Sequence, residues 1–138
     1  MSVPASTFDH VGLSVGDLDA ATEFYGRAFG FASEFPFELT HAGVRGVMLL
    51  HGSGARLELF ERPGAAPGIQ GRDPIGALAT RGYGHFALAT PEIDALFAHA
   101  VAAGAREVAP PGPSPEPGIR FAFLADPEGN LIELVGRS

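Results

Sequence analysis

Two histidines and two glutamates stand in one register along the chain. His10 and His85 are 75 residues apart, and so are Glu58 and Glu133; in each half the His precedes the Glu by 48 residues. Two imidazoles and two carboxylates brought to one point make a nitrogen–oxygen ligand set suited to Ni, Co, Zn, Mn or Fe(II). Four protein ligands leave two octahedral positions for water or substrate. Taken singly, each residue has a plainer reading. A His on an apolar strand is more often a satisfied core residue, and the Glu of Leu57-Glu58-Leu59 fits the solvent side of an alternating strand. The symmetric pairing reverses that balance, because structure alone gives no reason to repeat both ionisable residues at one offset. His10, Glu58, His85 and Glu133 are therefore the expected metal ligands.

Other polar residues carry less. His41, His51 and His99 have no repeated partner and read as surface or rim residues. Arg45 and Arg120 do repeat at the same offset. They are expected either to ring the site and hold an anionic group of a substrate, or to form a salt bridge at a strand edge. Arg56 precedes Glu58 by two and should share its sheet face, with no role assigned. Gly12-Leu13-Ser14-Val15-Gly16 matches the G-x-S-x-G nucleophile elbow, which needs a sharp strand-to-helix turn in a large α/β sheet. Ser14 instead falls inside an expected strand. Gly52-Ser53-Gly54 reads as a hairpin turn.

The elements that must position these residues are written twice. Phe8-Asp9-His10 lies over Tyr83-Gly84-His85, Leu18-Asp19-Ala20 over Ile93-Asp94-Ala95, Gly43-Val44-Arg45 over Gly118-Ile119-Arg120, and Leu57-Glu58-Leu59 over Ile132-Glu133-Leu134. In the first half a strand is expected over 8–15. A helix follows over 18–29, where Leu18, Ala21, Phe24, Tyr25, Ala28 and Phe29 recur at helical spacing. Asp17 suits its N-cap and Gly30 its stop. Extended segments follow at 31–40, 44–50 and 56–60. The second half repeats the order: strand 83–90, helix 92–103 ending at Gly104, and strands 106–109, 119–125 and 130–135. Each half is therefore β-α-β-β-β. Residues 61–82, rich in Gly, Pro and Ala, link the halves. Residues 110–118 hold five prolines and are expected to form a stiff, exposed loop.

Composition excludes several chemistries. The chain has 138 residues, enough for one domain with a real core, and each half alone is too small to bury one. The net charge of -7 argues against nucleic-acid and anionic-membrane partners. All nine basic residues are Arg, so lysine Schiff bases are out; the lack of Cys removes disulfides, thiol nucleophiles and Cys-type zinc sites. Neither a signal peptide nor a membrane-spanning segment is evident, and a cytoplasmic protein is expected.

Across nearly the whole chain the pattern resembles the vicinal oxygen chelate superfamily. The resemblance rests on Asp9-His10-Val11-Gly12-Leu13, Phe24-Tyr25 before Phe29-Gly30, Leu57-Glu58-Leu59, Gly84-His85-Phe86-Ala87-Leu88 and 126–134, Asp-Pro-Glu-Gly-Asn-Leu-Ile-Glu-Leu. It implies an α+β fold in which tandem βαβββ units, 8–60 and 83–135 of one domain 1–138, curl their sheets around a metal. The His, Glu, His, Glu order is similar to that of glyoxalase I. It implies a metal-dependent lyase or isomerase that abstracts a proton from a small substrate chelating the metal through adjacent oxygens. Glu133 would be the base, with Glu58 its mirror-image alternative, and the protein would be a homodimer. Other readings within the resemblance are an epimerase, an Fe(II) extradiol dioxygenase, and a metal-free ligand-binding protein of the bleomycin-resistance type. No residues for recognising glutathione can be identified, and no Lys is present to pair with its carboxylates.

Overall fold

A computed structural model describes residues 2–68 and 71–138. The first half forms β1 (Val11–Ser14), α1 (Leu18–Phe29), β2 (Ala32–Leu39), β3 (Val44–Leu50) and β4 (Arg56–Glu61). A one-turn helix, α2 (Pro74–Ala77), lies in the linker. The second half forms β5 (His85–Thr90), α3 (Ile93–Ala102), β6 (Arg106–Pro113), β7 (Arg120–Ala125) and β8 (Leu131–Gly136).

Each half closes its own four-stranded sheet, in the orders β1-β4-β3-β2 and β5-β8-β7-β6. The helix carries the chain across, so the first and last strands of each half run parallel, while the other neighbours are antiparallel. The register places Gly12 opposite Glu58 in one sheet and Ala87 opposite Glu133 in the other. These positions are again 75 residues apart.

Helix α1 starts where its sequence says it should. The Asp17 side chain accepts a hydrogen bond from the Ala20 N–H at 2.9 Å, and Gly30 ends the helix with φ of 80°, a left-handed conformation that favours glycine. Its apolar stripe (Leu18, Ala21, Phe24, Tyr25, Ala28 and Phe29) is buried. That stripe meets Ile93, Phe97 and Ala100 of α3 and the inner faces of both sheets, through Val47, Leu49, Leu57 and Leu59 on one side and Ala122, Leu124, Ile132 and Leu134 on the other. One core thus joins the two halves. The sheet faces that carry Glu58 and Glu133 point away from it, because side chains alternate along a strand.

Most element ends match the expectations or differ from them by a residue, and larger differences lie in three places. Residues 8–10 and 83–84 precede their strands instead of starting them. The prolines after Ala109 are not all loop: β6 runs on to Pro113, through Pro110 and Pro111. It is the edge strand of its sheet, where a missing N–H costs no ladder bond, and its pairing with β7 is broken by two register shifts. The linker is not featureless either. Asp73 caps α2, and Ala77 packs on Phe123, Ala125 and Leu131, on the outer face of the second sheet. Among the described residues, no helix is long and apolar enough to cross a membrane.

Candidate metal centre

His10 stands just before β1, and its ring reaches across to the adjacent strand β4. Its Nε2 lies 3.1 Å from Glu58 Oε1. In the second half His85 Nε2 lies 3.0 Å from Glu133 Oε2. Two donor atoms each about 2.1 Å from one metal ion and at right angles to it lie about 3.0 Å apart. Both pairs thus have the spacing of neighbouring ligands on one cation, and the donor types fit such an ion.

The rings are held from behind. Asp9 Oδ2 accepts from His10 Nδ1 at 2.7 Å. This hydrogen bond places a proton on Nδ1 and turns Nε2 toward Glu58, so that Nε2 is the nitrogen a metal ion would take; an outer carboxylate orients a metal-binding imidazole in this way. It also raises the His10 pKa and lowers that of Asp9, with smaller contributions from the Glu58 charge on His10 and the Arg56 charge on Asp9. His85 has an aromatic support instead: the Phe123 ring meets it edge-on, with centroids 4.9 Å apart. Asp9 was visible in the sequence only as the neighbour of His10; its part becomes clear with the ring geometry.

Around Glu58 the outer face of the first sheet is mostly apolar. Cross-strand register puts Gly46, Met48 and Leu50 of β3, Phe35 and Phe37 of β2, and Phe60 of β4 on that side. The Phe37 ring lies over Gly46, where a β-carbon would collide with it, and meets Phe60 edge-on at 5.6 Å. Gly46 is thus needed for space and not for backbone freedom. The second sheet presents Phe121, Phe123, Val135 and Leu131 on its equivalent face.

The structure brings the four expected ligands together two by two. Among the described residues no three His, Asp or Glu side chains cluster closely enough to hold one metal ion. Arg45 and Arg120 lie on the opposite, helix-bearing faces. Arg45 pairs with Asp19 at 3.3 Å and with Glu61 at 3.8 Å; Arg120 pairs with Asp94 at 2.7 and 3.0 Å. Glu61 is also the acceptor for the first N–H of α1, Leu18 N, at 2.8 Å. The salt-bridge alternative describes both arginines, and neither reaches a His–Glu pair. Strand parity explains it: Arg45 is opposite Glu61, three residues from Glu58 and therefore on the other side.

His41 is exposed, and His51 and His99 have structural contacts. His51 Nδ1 lies 2.8 Å from Ser53 Oγ and accepts from Ser53 N–H, shaping the β3–β4 hairpin. His99 Nε2 donates to the Arg27 carbonyl at 2.7 Å. Ser14 lies within β1, so the hydrolase elbow has no turn to stand on.

Two tandem βαβββ modules, each with one His–Glu pair where its parallel first and last strands meet, define the class of protein. Within it, the chain belongs to the Glyoxalase/Bleomycin resistance protein/Dioxygenase superfamily, whose family model it matches over residues 7–134. It is 31% identical over 133 residues to a probable lactoylglutathione lyase of Vibrio cholerae, a match covering 91% of this chain and 87% of the relative. It is 32% identical over 133 residues to the lactoylglutathione lyase GLX1 of Arabidopsis thaliana, covering 94% of this chain but 44% of that protein. The chain thus spans under half the length of the plant relative. Among solved structures, glyoxalase I from Zea mays is similar with a TM-score of 0.76 at 26% identity, over 94% of this chain and 44% of that one.

Proposed function

We propose that the chain is a metal-dependent, glyoxalase-like lyase or isomerase, and that its metal is held by His10, Glu58, His85 and Glu133. The observation that carries this reading is the pair of His–Glu contacts at 3.1 and 3.0 Å, set at equivalent positions of two repeated modules. The relatives named lactoylglutathione lyase support the reaction class.

The site is completed between two copies of the chain. Within one chain the modules share a core through α1 and α3, and their outer faces look away from each other. A twofold dimer sets the first module of one protomer against the second module of its partner, so each of two equivalent sites gains all four ligands. The exposed aromatics just before each histidine, Phe8 at 85% exposure and the fully exposed Tyr83, favour such a buried contact, as does the apolar outer face of the first sheet.

A divalent ion bound there would stabilise the negative charge that develops on a substrate oxygen as the neighbouring carbon loses its proton. The protein's part is the proton. Glu133 takes it from the substrate carbon and returns it to the next carbon in an isomerisation, or to the other face of the same carbon in an epimerisation. Glu58, its symmetric counterpart, remains a ligand. Asp9 fixes the His10 tautomer. The apolar wall of Phe37, Met48 and Phe60 excludes water from the carbanion-like intermediate.

Elemental analysis of protein purified without added metal or chelator tests the site. Wild type should carry near one equivalent of a transition metal per chain, and the His10→Ala/His85→Ala double variant should carry none. Glu133→Gln should cut turnover of a methylglyoxal hemithioacetal by at least about 100-fold, the usual contribution of a positioned base. Metal-free wild type after incubation with Ni, Co, Zn, Mn and anaerobic Fe(II) would reject the reading. Oxygen uptake with a catechol would move it to ring cleavage.

A further inference from the structure

Arg56 is the cationic side chain that the first sheet turns toward its metal half-site. It lies on β4 two residues before Glu58, so the two share a face and their α-carbons are about 6.8 Å apart. Arg45, the other arginine of that sheet, is on the opposite face. Arg56 donates from Nε to Glu34 Oε1 at 3.1 Å and from Nη2 to Glu34 Oε2 at 3.0 Å. Glu34 sits at the bulge of β2, where the register shifts between Ser33 and Phe35. This two-bond clasp fixes the plane of the guanidinium. It uses two of the five N–H donors of an arginine and leaves an edge for a second anion. Arg56 is thus fixed on the face of β4 that carries Glu58.

The second module has nothing similar. At the 75-residue offset Arg56 becomes Leu131 and Glu34 becomes Ala109. Both are part of an apolar cluster with Phe123 and Ala77. The two halves of the proposed site therefore match in their ligands and differ in this pair, as they do at Asp9, whose counterpart is Gly84. A fixed guanidinium beside one ligand pair, with a buried or partly buried apolar pair at the equivalent place beside the other, would distinguish the two ends of a bound molecule.

We propose that Arg56 is the anion-recognition residue of the site: the substrate carries a carboxylate or comparable anionic oxygen group a few bonds from its chelating oxygens, and that group docks on the free edge of the Arg56 guanidinium. Glu34 positions the guanidinium and moderates its charge. The inference rests on the metal reading for the location of the chelating oxygens, and the anion contact is tested separately.

The probes are two hydroxamates with the same three-carbon tail, one ending in a carboxylate and the other in a carboxamide, titrated by calorimetry into the Ni(II)-loaded full chain. Wild type should bind the carboxylate form about tenfold more tightly, as a charge-assisted contact predicts. Arg56→Leu combined with Glu34→Ala, which copies Leu131 and Ala109, should bind both forms equally while keeping the carboxamide affinity. Glu34→Gln should widen the preference. Equal affinity of wild type for the two forms, or a preference that survives in the double variant, overturns the proposal. Failure of the carboxamide form to bind at all rejects the metal reading. The anion contact is then judged on metal-free Glu34→Gln protein alone: succinate should shift the Arg56 Nε–H resonance, and no shift at saturating millimolar concentration overturns it.

Discussion

At the scale of single residues, the chemistry depends on groups that set the state of other groups. Asp9 is the clearest. Its hydrogen bond at 2.7 Å holds His10 in the tautomer that can bind metal. Asp9→Asn should lower metal affinity about 10- to 100-fold without unfolding the protein, measured by competition with a chromogenic chelator. Tyr25 has a structural task. It is fully buried, donates to Asp126 Oδ2 at 2.7 Å, and its pKa is driven well above the ordinary tyrosine value, chiefly by burial and then by the Asp126 charge. A phenol with a raised native pKa stabilises the fold below the unfolded-state pKa of about 10, and that stability is lost as pH rises from there through the native value. Urea stability should therefore fall steeply above about pH 10 in wild type and less steeply in Tyr25→Phe. The association of His10 with Glu58 and of His85 with Glu133 was legible because both residue types repeat at one offset. The faces of Arg45 and Arg120 were not, since they depend on strand register, which short apolar runs do not encode.

At the scale of elements, the second module's β7–β8 turn holds the first module's helix. Glu128 at the turn tip accepts from Gly16 N–H at 2.7 and 2.9 Å and from Asp17 N–H at 3.3 Å, and Asp126 in the same turn receives the Tyr25 hydroxyl. A carboxylate at a helix N-terminus satisfies donors that the helix cannot, and meets the positive end of its dipole. Glu128→Ala should cost about 1 kcal/mol, read as a shift in urea midpoint at unchanged m-value. The helices themselves were readable from spacing and caps, as Asp17 and Gly30 illustrate. The contact from Glu128 was not, because a residue 112 positions away leaves no local signal. The extension of β6 to Pro113 was hidden for another reason: prolines argue against a strand unless it lies at a sheet edge, and edge position is a property of topology.

At the scale of the whole molecule, the internal repeat predicted two like modules, and the structure has two like sheets joined by one core. The repeat did not say how the modules face each other. It is equally compatible with ligands that converge in one chain and with ligands paired in two half-sites; packing between α1 and α3 decides which faces are left outward. The most direct test of the account mixes two inactive variants, His10→Ala and His85→Ala, after separate purification and subunit exchange. If each site joins the first module of one protomer to the second module of its partner, every mixed dimer has one site with both lesions and one with none. Metal content and turnover should then recover to about a quarter of wild type, since half the dimers are mixed and each has one intact site of two. If the mixture forms mixed dimers yet recovers neither metal nor activity, the His–Glu pairs of two protomers do not form a common centre, and the account is contradicted.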